Sequence, residues 1–386
     1  MPVWTFPALE KVILGQPAAA TIRAEAERLG VSRVFIVTSA SLAQSHFLGT
    51  ITATLADRCA GVFCGVRAHI PLDDILQAAD AARAARADLI VAVGGGSAID
   101  AAKVVLICLR YGVIDLAGLA RFRGFGDAPD PSRRPSDEAQ WVRMIAIPTT
   151  LSAAEFTWWG GGLDTTTMTK APYAAPLCMA RTIILDAAAT LSAPVELILA
   201  TGMKAIDHAA ERLTSARQDA LSDARSLHSL TLLAPALRAI KADPTALAPR
   251  LQAQTAMAIG MASPLTGVGV GASHAVGHAL GAHRGVQHGL TSCVLLAATM
   301  RWNAGMNDAR QAMVSTALGQ PGAPAGDVIE ALVKDLGLPW RLRDLGVEPG
   351  DFPDIAAKVL GDHSISGNAR QPRGPQDLVE LLELAW

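Results

Sequence analysis

The chain has 386 residues, of which 51% are apolar, enough for two domains that each bury a sizeable core. Its 33 basic and 35 acidic residues leave a net charge of −2, so nothing in the charge balance favours nucleic acid or an anionic membrane as a partner. The five cysteines (Cys59, Cys64, Cys108, Cys178 and Cys293) form no CxxC pattern and read as small buried residues of a protein kept in a reducing, cytoplasmic compartment.

The opening stretch "MPVWTFPALEKV" lacks a basic run followed by an apolar one, so no export signal is expected. "RVFIVTS" is a β-rich run ending at Ser39, and reads as the first strand. "LDDILQAADAARAARA" is helical, and "DLIVAVGGGSAIDAAKVV" is a strand, a glycine turn and a helix. "ARFRGFGDAPDPSRRPSDEAQ" carries turn residues and mixed charge and reads as an exposed loop. "VRMIAIPTT" is a third strand, stopped by Pro148. This alternation predicts a parallel sheet with helical crossovers over 1–185.

From Asp186 the strand signals stop. "PVELILATGMKAIDHAAERL", "ALSDARSLHSLTLLAPALRAIKA", "ALAPRLQAQTAMAIGMA" and the final "QDLVELLELAW" all read as helices, which predicts an all-helical domain over 186–386. A cleft between two such domains is a favoured ligand site. No Asp, Glu, Lys or Arg occurs from Leu251 to His283, but Pro264, several glycines, His274 and His278 interrupt the run. It reads as buried helices rather than a membrane span.

Three stretches carry chemistry. Gly94, Gly95, Gly96 and Ser97 sit between strand and helix, where glycines let a phosphate approach the backbone and the helix N-terminus offers N–H groups. Ser97 is positioned to cap that helix, with Asp100 in its first turn. Thr149 and Thr150 follow a strand's C-terminal end, where open α/β sheets bind ligands. The second stretch, "SHAVGHALGAHRGVQHG", holds His274, His278, His283 and His288. Such a cluster favours a site over isolated core histidines, although His283 beside Arg284 reads as solvated. In the third, "ATGMKAIDHAAERL", Lys204 and His208 lie one helical turn apart with Glu211 on the same stripe. That spacing suits a pair of metal ligands, yet an ammonium group binds no cation.

Together, "GGGSAIDAAK", "IPTT", "TGMKAIDHAAE" and "HAVGHALGAHRGVQHG" resemble the iron-containing alcohol dehydrogenase family. The match extends from "VILGQPA" to "GNARQP", essentially the whole chain. The resemblance implies a Rossmann-like dinucleotide-binding α/β domain followed by a helical domain. Family members hold a metal through an Asp and a His one turn apart and two later histidines. Those places correspond here to Lys204, His208, His274 and His288, and His278 matches a further active-site histidine. Gly95, Gly96, Ser97, Asp100, Thr149 and Thr150 match cofactor contacts, and Lys170 matches a lysine near the nicotinamide ribose. Gly94 completes the glycine turn. Ser39 stands where an acidic residue would select NADH over NADPH, so either cofactor is expected.

Lys204 departs from the family's metal-binding pattern and points to its metal-free maleylacetate reductase branch, whose length "PTTLSAAEFT" also shares. The branch's usual residue at that position is uncharged, so Lys204 departs from it too. The expectation is an NAD(P)H-dependent reductase of a small carbonyl or enone substrate that needs no metal, working as a cytoplasmic homodimer. Lys204 would polarise the acceptor, with His208, His274 and His288 completing the polar wall and His278 relaying protons. Glu211 is expected to orient His208, and Trp158 and Trp159 to line the substrate pocket. The alternatives are a metal-dependent dehydrogenase with Asp207 as the missing ligand, a lyase resembling dehydroquinate synthase, and a non-catalytic dinucleotide-binding protein.

Overall fold

The computed structural model of the chain describes residues 8–124, 137–167, 169–175, 177–261 and 266–386, with only the backbone for Ala282, Arg284 and His288. Most of the polar segment read as an exposed loop therefore lies outside the described residues. Its flanks are anchored, with Phe122 and Trp141 both buried. The chain divides into two compact units, with the boundary between Ala193 and Pro194.

The first unit is built on a six-stranded sheet. Its strands are β1 (Lys11–Leu14), β2 (Val34–Ser39), β3 (Cys59–Val66), β4 (Leu89–Gly94), β5 (Arg143–Pro148) and, after a hairpin, β8 (Thr182–Leu185). They lie in the order β1-β8-β5-β4-β2-β3, and every pairing is parallel. β4 and β5 are buried along their whole length, which is why β4 throughout, and β5 from Met144 onward, read as apolar runs. β1 precedes "RVFIVTS", so Ser39 ends the second strand rather than the first. From β2 the chain steps to β3 on one side and then to β4 on the other. The C-terminal ends of β2 and β4, Ser39 and Gly94, thus flank the point where the order reverses, the usual binding crevice of an open α/β sheet.

The crossovers on this sheet include α1 (Ala18–Leu29), α2 (His46–Leu55), α3 (Leu72–Ala84) and α4 (Gly96–Tyr111), and the short α5 (Leu116–Ala120) follows. An antiparallel pair, β6 (Trp159–Asp164) and β7 (Thr169–Ala174), forms a separate two-stranded sheet. β6 packs so closely on α4 that a Cβ at Gly160 would stand 2.3 Å from the Asp100 carbonyl oxygen. The lock between them is Lys103, whose side chain is fully buried. Its ammonium donates to the carbonyls of Ala154 (2.6 Å) and Trp159 (2.8 Å), to Thr157 Oγ1 (2.7 Å) and to Asp100 Oδ1 (3.1 Å).

The second unit is helical: α6 (Val195–Leu213), α7 (Ala220–Ala242), α8 (Leu247–Gly260), α9 (Ala272–Arg284), α10 (His288–Trp302), α11 (Asp308–Ala317), α12 (Ala325–Asp335), α13 (Phe352–Val359) and α14 (Pro375–Ala385). The inner face of α9, with Ala275, Val276 and Leu280, packs in one apolar cluster with Leu295 of α10, Ile355 of α13 and Leu381 of α14. That packing explains the uncharged run in the sequence. Among the described residues no helix is long and apolar enough to cross a membrane.

Replacing Lys103 with Met keeps the volume but removes four hydrogen bonds and the charge that faces Asp100. Lys103→Met should therefore lower unfolding free energy by about 3 kcal/mol in urea titration, and a loss under about 1 kcal/mol would contradict the lock.

Candidate active site

In the first unit the glycine turn forms a cradle. Gly94 adopts φ +148°, a conformation that side chains avoid, and a Cβ there would meet Ala98 Cβ at 2.8 Å. Added Cβ atoms at Gly95 and Gly96 would press on Thr150 (3.1 Å) and on Ser152 Oγ (3.2 Å). Thr150 Oγ1 and Ser152 Oγ are buried hydroxyls with no hydrogen-bond partner among the described residues. Unsatisfied buried hydroxyls beside a helix N-terminus fit an anionic ligand that would occupy them. Gly95, not Ser97, is the N-cap of α4; Ser97 already lies inside the first turn. Thr149 N donates to Gly94 O (3.0 Å), which ties "IPTT" to the turn.

Asp100 accepts from Gly161 N (3.2 Å) as well as from Lys103. A Cβ at Gly161 would stand 3.1 Å from Lys170 Cε and 3.7 Å from Asp100 Oδ2, so the Lys170 stem runs alongside that carboxylate. Ser39 Oγ shares a hydrogen bond with Ser41 Oγ (2.9 Å). Trp158 and Trp159 are half-buried and meet edge to face at 5.4 Å between centroids. Ser152 and Lys103 both lie in quoted motifs, yet sequence reasoning assigned neither a role; the small-residue run after "PTT" was the available signal for Ser152.

In the second unit α6 and α9 bring the histidines together. The rings of His208 and His274 stack at 4.6 Å with 21° between planes, and His278 meets His274 edge-on at 6.3 Å. His208 Nδ1 is buried with no hydrogen-bond partner among the described residues. Burial, then the charges of His274, Arg212 and Lys204, hold the His208 pKa well below the usual histidine range. Burial lowers that of His274 to about 3; Asp207 opposes the shift and Lys204 adds to it. Both rings are neutral at physiological pH and feel the half-buried Lys204 ammonium. The side chain of His288 lies outside the described residues.

Glu211 holds His274, not His208 as the helical stripe suggested. Its Oε2 accepts from Gly271 N (2.8 Å) and meets His274 Nδ1 at 2.7 Å, and its Oε1 accepts from Ser273 N (2.7 Å). Asp207, fully buried, accepts from Ser273 Oγ (2.8 Å) and lies 3.6 Å from His274 Nδ1. Burial raises both carboxyls to about 7. Asp207, Glu211 and His274 bring ligand-type atoms within 4.8 Å of one another, a spacing that a metal could use. Both Glu211 oxygens already accept hydrogen bonds, however, so the geometry is that of a hydrogen-bonded clamp. His278 Nδ1 pairs with Asp362 Oδ2 (2.8 Å). His283 is not solvated: its Nε2 lies 3.2 Å from Asp351 Oδ1 and its side chain is only 21% exposed.

A glutamine at 211 retains one acceptor oxygen and turns an NH2 towards donors. Glu211→Gln should cost roughly 2 kcal/mol in chemical unfolding and reduce turnover. Unchanged unfolding and turnover would contradict the clamp.

Comparison with known proteins accords with this arrangement. Residues 9–187 match the iron-containing alcohol dehydrogenase family, and residues 198–386 match its C-terminal region. Dehydrogenase ALT3 of Alternaria alternata is 31% identical over 372 residues, covering 86% of this chain and 94% of that protein. Lactaldehyde reductase of Escherichia coli (strain K12) is 28% identical, with 98% of each chain covered. Maleylacetate reductase 1 of Cupriavidus pinatubonensis is 27% identical, covering 91% of this chain and 89% of that one. A parallel sheet with its glycine cradle, a helical unit with clustered histidines, and relatives matched nearly end to end all lead to one assignment: the chain is an oxidoreductase that belongs to the iron-containing alcohol dehydrogenase family.

Proposed function

We propose that this protein is an NAD(P)H-dependent reductase of a small carbonyl or enone compound that bears a carboxylate, and that it works without a metal ion as a cytoplasmic homodimer. One observation carries the reading: Lys204 stands one turn before His208 on α6, and the His208 ring stacks on His274. A divalent ion held by one carboxylate leaves a single net positive charge at its site. Lys204 supplies that single charge without the ion. An ammonium among neutral imidazoles would repel a divalent cation, and the nearby carboxylate of Glu211 is fully engaged by Gly271, Ser273 and His274. The Lys204 charge and the engaged Glu211 support a site that works without a metal, and no step is assigned to one.

The cradle at Gly95 and Gly96, with the free hydroxyls of Thr150 and Ser152, suits a dinucleotide pyrophosphate. Lys170 would meet the ribose, and Ser39 brings no charge against a 2′-phosphate, so both NADH and NADPH are accepted. When bound, the reduced nicotinamide supplies the hydride. Lys204 offers a positive charge and hydrogen-bond donors to the acceptor oxygen or to a substrate carboxylate. Neutral His208 and His274 form the polar wall, joined by His288 on the family resemblance, and His278 delivers the proton. The acceptors named in lactaldehyde reductase and maleylacetate reductase share a carbonyl. A substrate carboxylate is favoured by the ammonium.

Gly95→Val would fill the cradle against Thr150. It should weaken NADPH binding at least about tenfold in fluorescence titration while the fold survives. Unaltered affinity would remove the loop from the site.

Lys204→Ala should lower turnover with keto-acid or enone substrates by roughly 10² to 10³, the scale of losing one oxyanion donor. Lys204→Asp restores a carboxylate one turn before His208 and should acquire zinc or iron, even if inactive. Elemental analysis after dialysis decides. Stoichiometric metal in the wild type, lost with activity on chelation, would favour a metal-dependent enzyme using Asp207.

A further inference from the structure

We propose that Asp362 is the positioning residue that fixes the His278 ring for proton delivery. The inference rests on the reading of His278 as proton donor and adds what sets the ring's orientation and tautomer. Asp362 stands just before the short turn His363–Gly367, remote in sequence from α9. Its Oδ1 accepts from Ser364 N (2.8 Å), capping that turn, and its Oδ2 meets His278 Nδ1 at 2.8 Å. One oxygen is thus anchored to backbone and the other to the ring.

Although burial opposes it, the hydrogen bond and charge of His278 hold the Asp362 pKa at about 2. An ionised carboxylate accepts only, so Nδ1 must donate, and the exchangeable position is Nε2. The His278 side chain is 41% exposed, against 4% for His274. Of the described cluster histidines it is the most exposed, and so the best placed to reload from water. Among the described residues, the groups that bear on it include Asp362, the edge of His274 and, through charge, His208 of α6; His363, itself 88% exposed, lies 3.8 Å from Asp362 Oδ1.

The step balances as follows. The reduced nicotinamide would supply the hydride from its C4–H bond and be oxidised, the carbonyl carbon would gain the C–H bond, and the π pair would move to oxygen. The Nε2–H bond of the imidazolium breaks, its proton forms the O–H bond, and the ring remains as the neutral Nδ1–H tautomer held by Asp362. Solvent then returns a proton to Nε2.

Asp362→Asn keeps a capping oxygen for Ser364 N but removes the negative charge beside the ring. It should lower kcat roughly 10²-fold, the lower range for a general acid. KM and the NADPH Kd should stay within about twofold, since neither ligand is bound by this residue. Asp362→Ser, which also caps, should behave alike if the Asn variant folds poorly. In a His278→Gln background, Asp362→Asn should add nothing further. Multiplying losses in the double variant would overturn the proposal, as would full kcat in Asp362→Asn beside an impaired His278→Gln. If His278→Gln itself is fully active, the proton-donor reading fails, and the positioning role fails with it.

Discussion

Glu211 is buried to 3% exposure, and a carboxylate at that depth is tolerated only where donors converge on it. Gly271 N, Ser273 N and His274 Nδ1 do so. The geometry of the helical unit's site follows from this contact. It sets the start of α9 against α6 and turns the His274 ring so that it lies flat on His208. Asp207 adds a second hold through Ser273 Oγ. The next residue after Glu211, Arg212, is buried too; it donates to Gly260 O at the end of α8, and burial lowers its pKa to about 10. One turn of α6 therefore positions the α9 histidines and ties down the end of α8.

The nucleotide cradle has a comparable dependence on one buried charge. Lys103 bonds the first turns of α4 to the chain that follows Ser152, so the loop bearing the free hydroxyls stays against the glycines. Closeness of backbones is the common condition. Glycines at 94, 95 and 96 admit the turn and its neighbours, and Gly160 admits α4 against β6.

The large elements were legible because their periodicities are strong: the apolar runs of β4 and β5, and the helices α6, α7, α8 and α14. The hairpin was not. "WGGGLD" lacks the branched residues that mark a strand, and its glycines are there because Cβ atoms would strike neighbours: at Gly162, one would lie 2.5 Å from Leu72 Cδ2. Motif residues Gly94, Gly95, Gly96, Thr149 and Thr150 could be placed from the strand ends alone. The partner of Glu211 could not, since helical spacing shows which residues share a stripe but not which helix faces it. His274 lies 63 positions away. The same limit concealed the partners of His278 and His283, which come from the segment near 351–362. Capping failed for a different reason: Ser97 has the right chemistry, but the helix already begins at Gly96, which puts the N-cap at Gly95.

The start of α9 receives its hydrogen bonds from far along the chain. Gly271 and Ser273 donate to Glu211, and Ala272 donates to Asn368 Oδ1, which also exchanges amide hydrogen bonds with Asn303. The helix has no side-chain cap of its own, and it contains Gly277 and Gly281, which weaken its intrinsic propensity. A helix of this kind has little reason to nucleate alone. Its register depends on contacts that span 60 and 96 positions. His274 and His278 thus owe their positions to segments distant in sequence, not to the intrinsic stability of the helix that bears them.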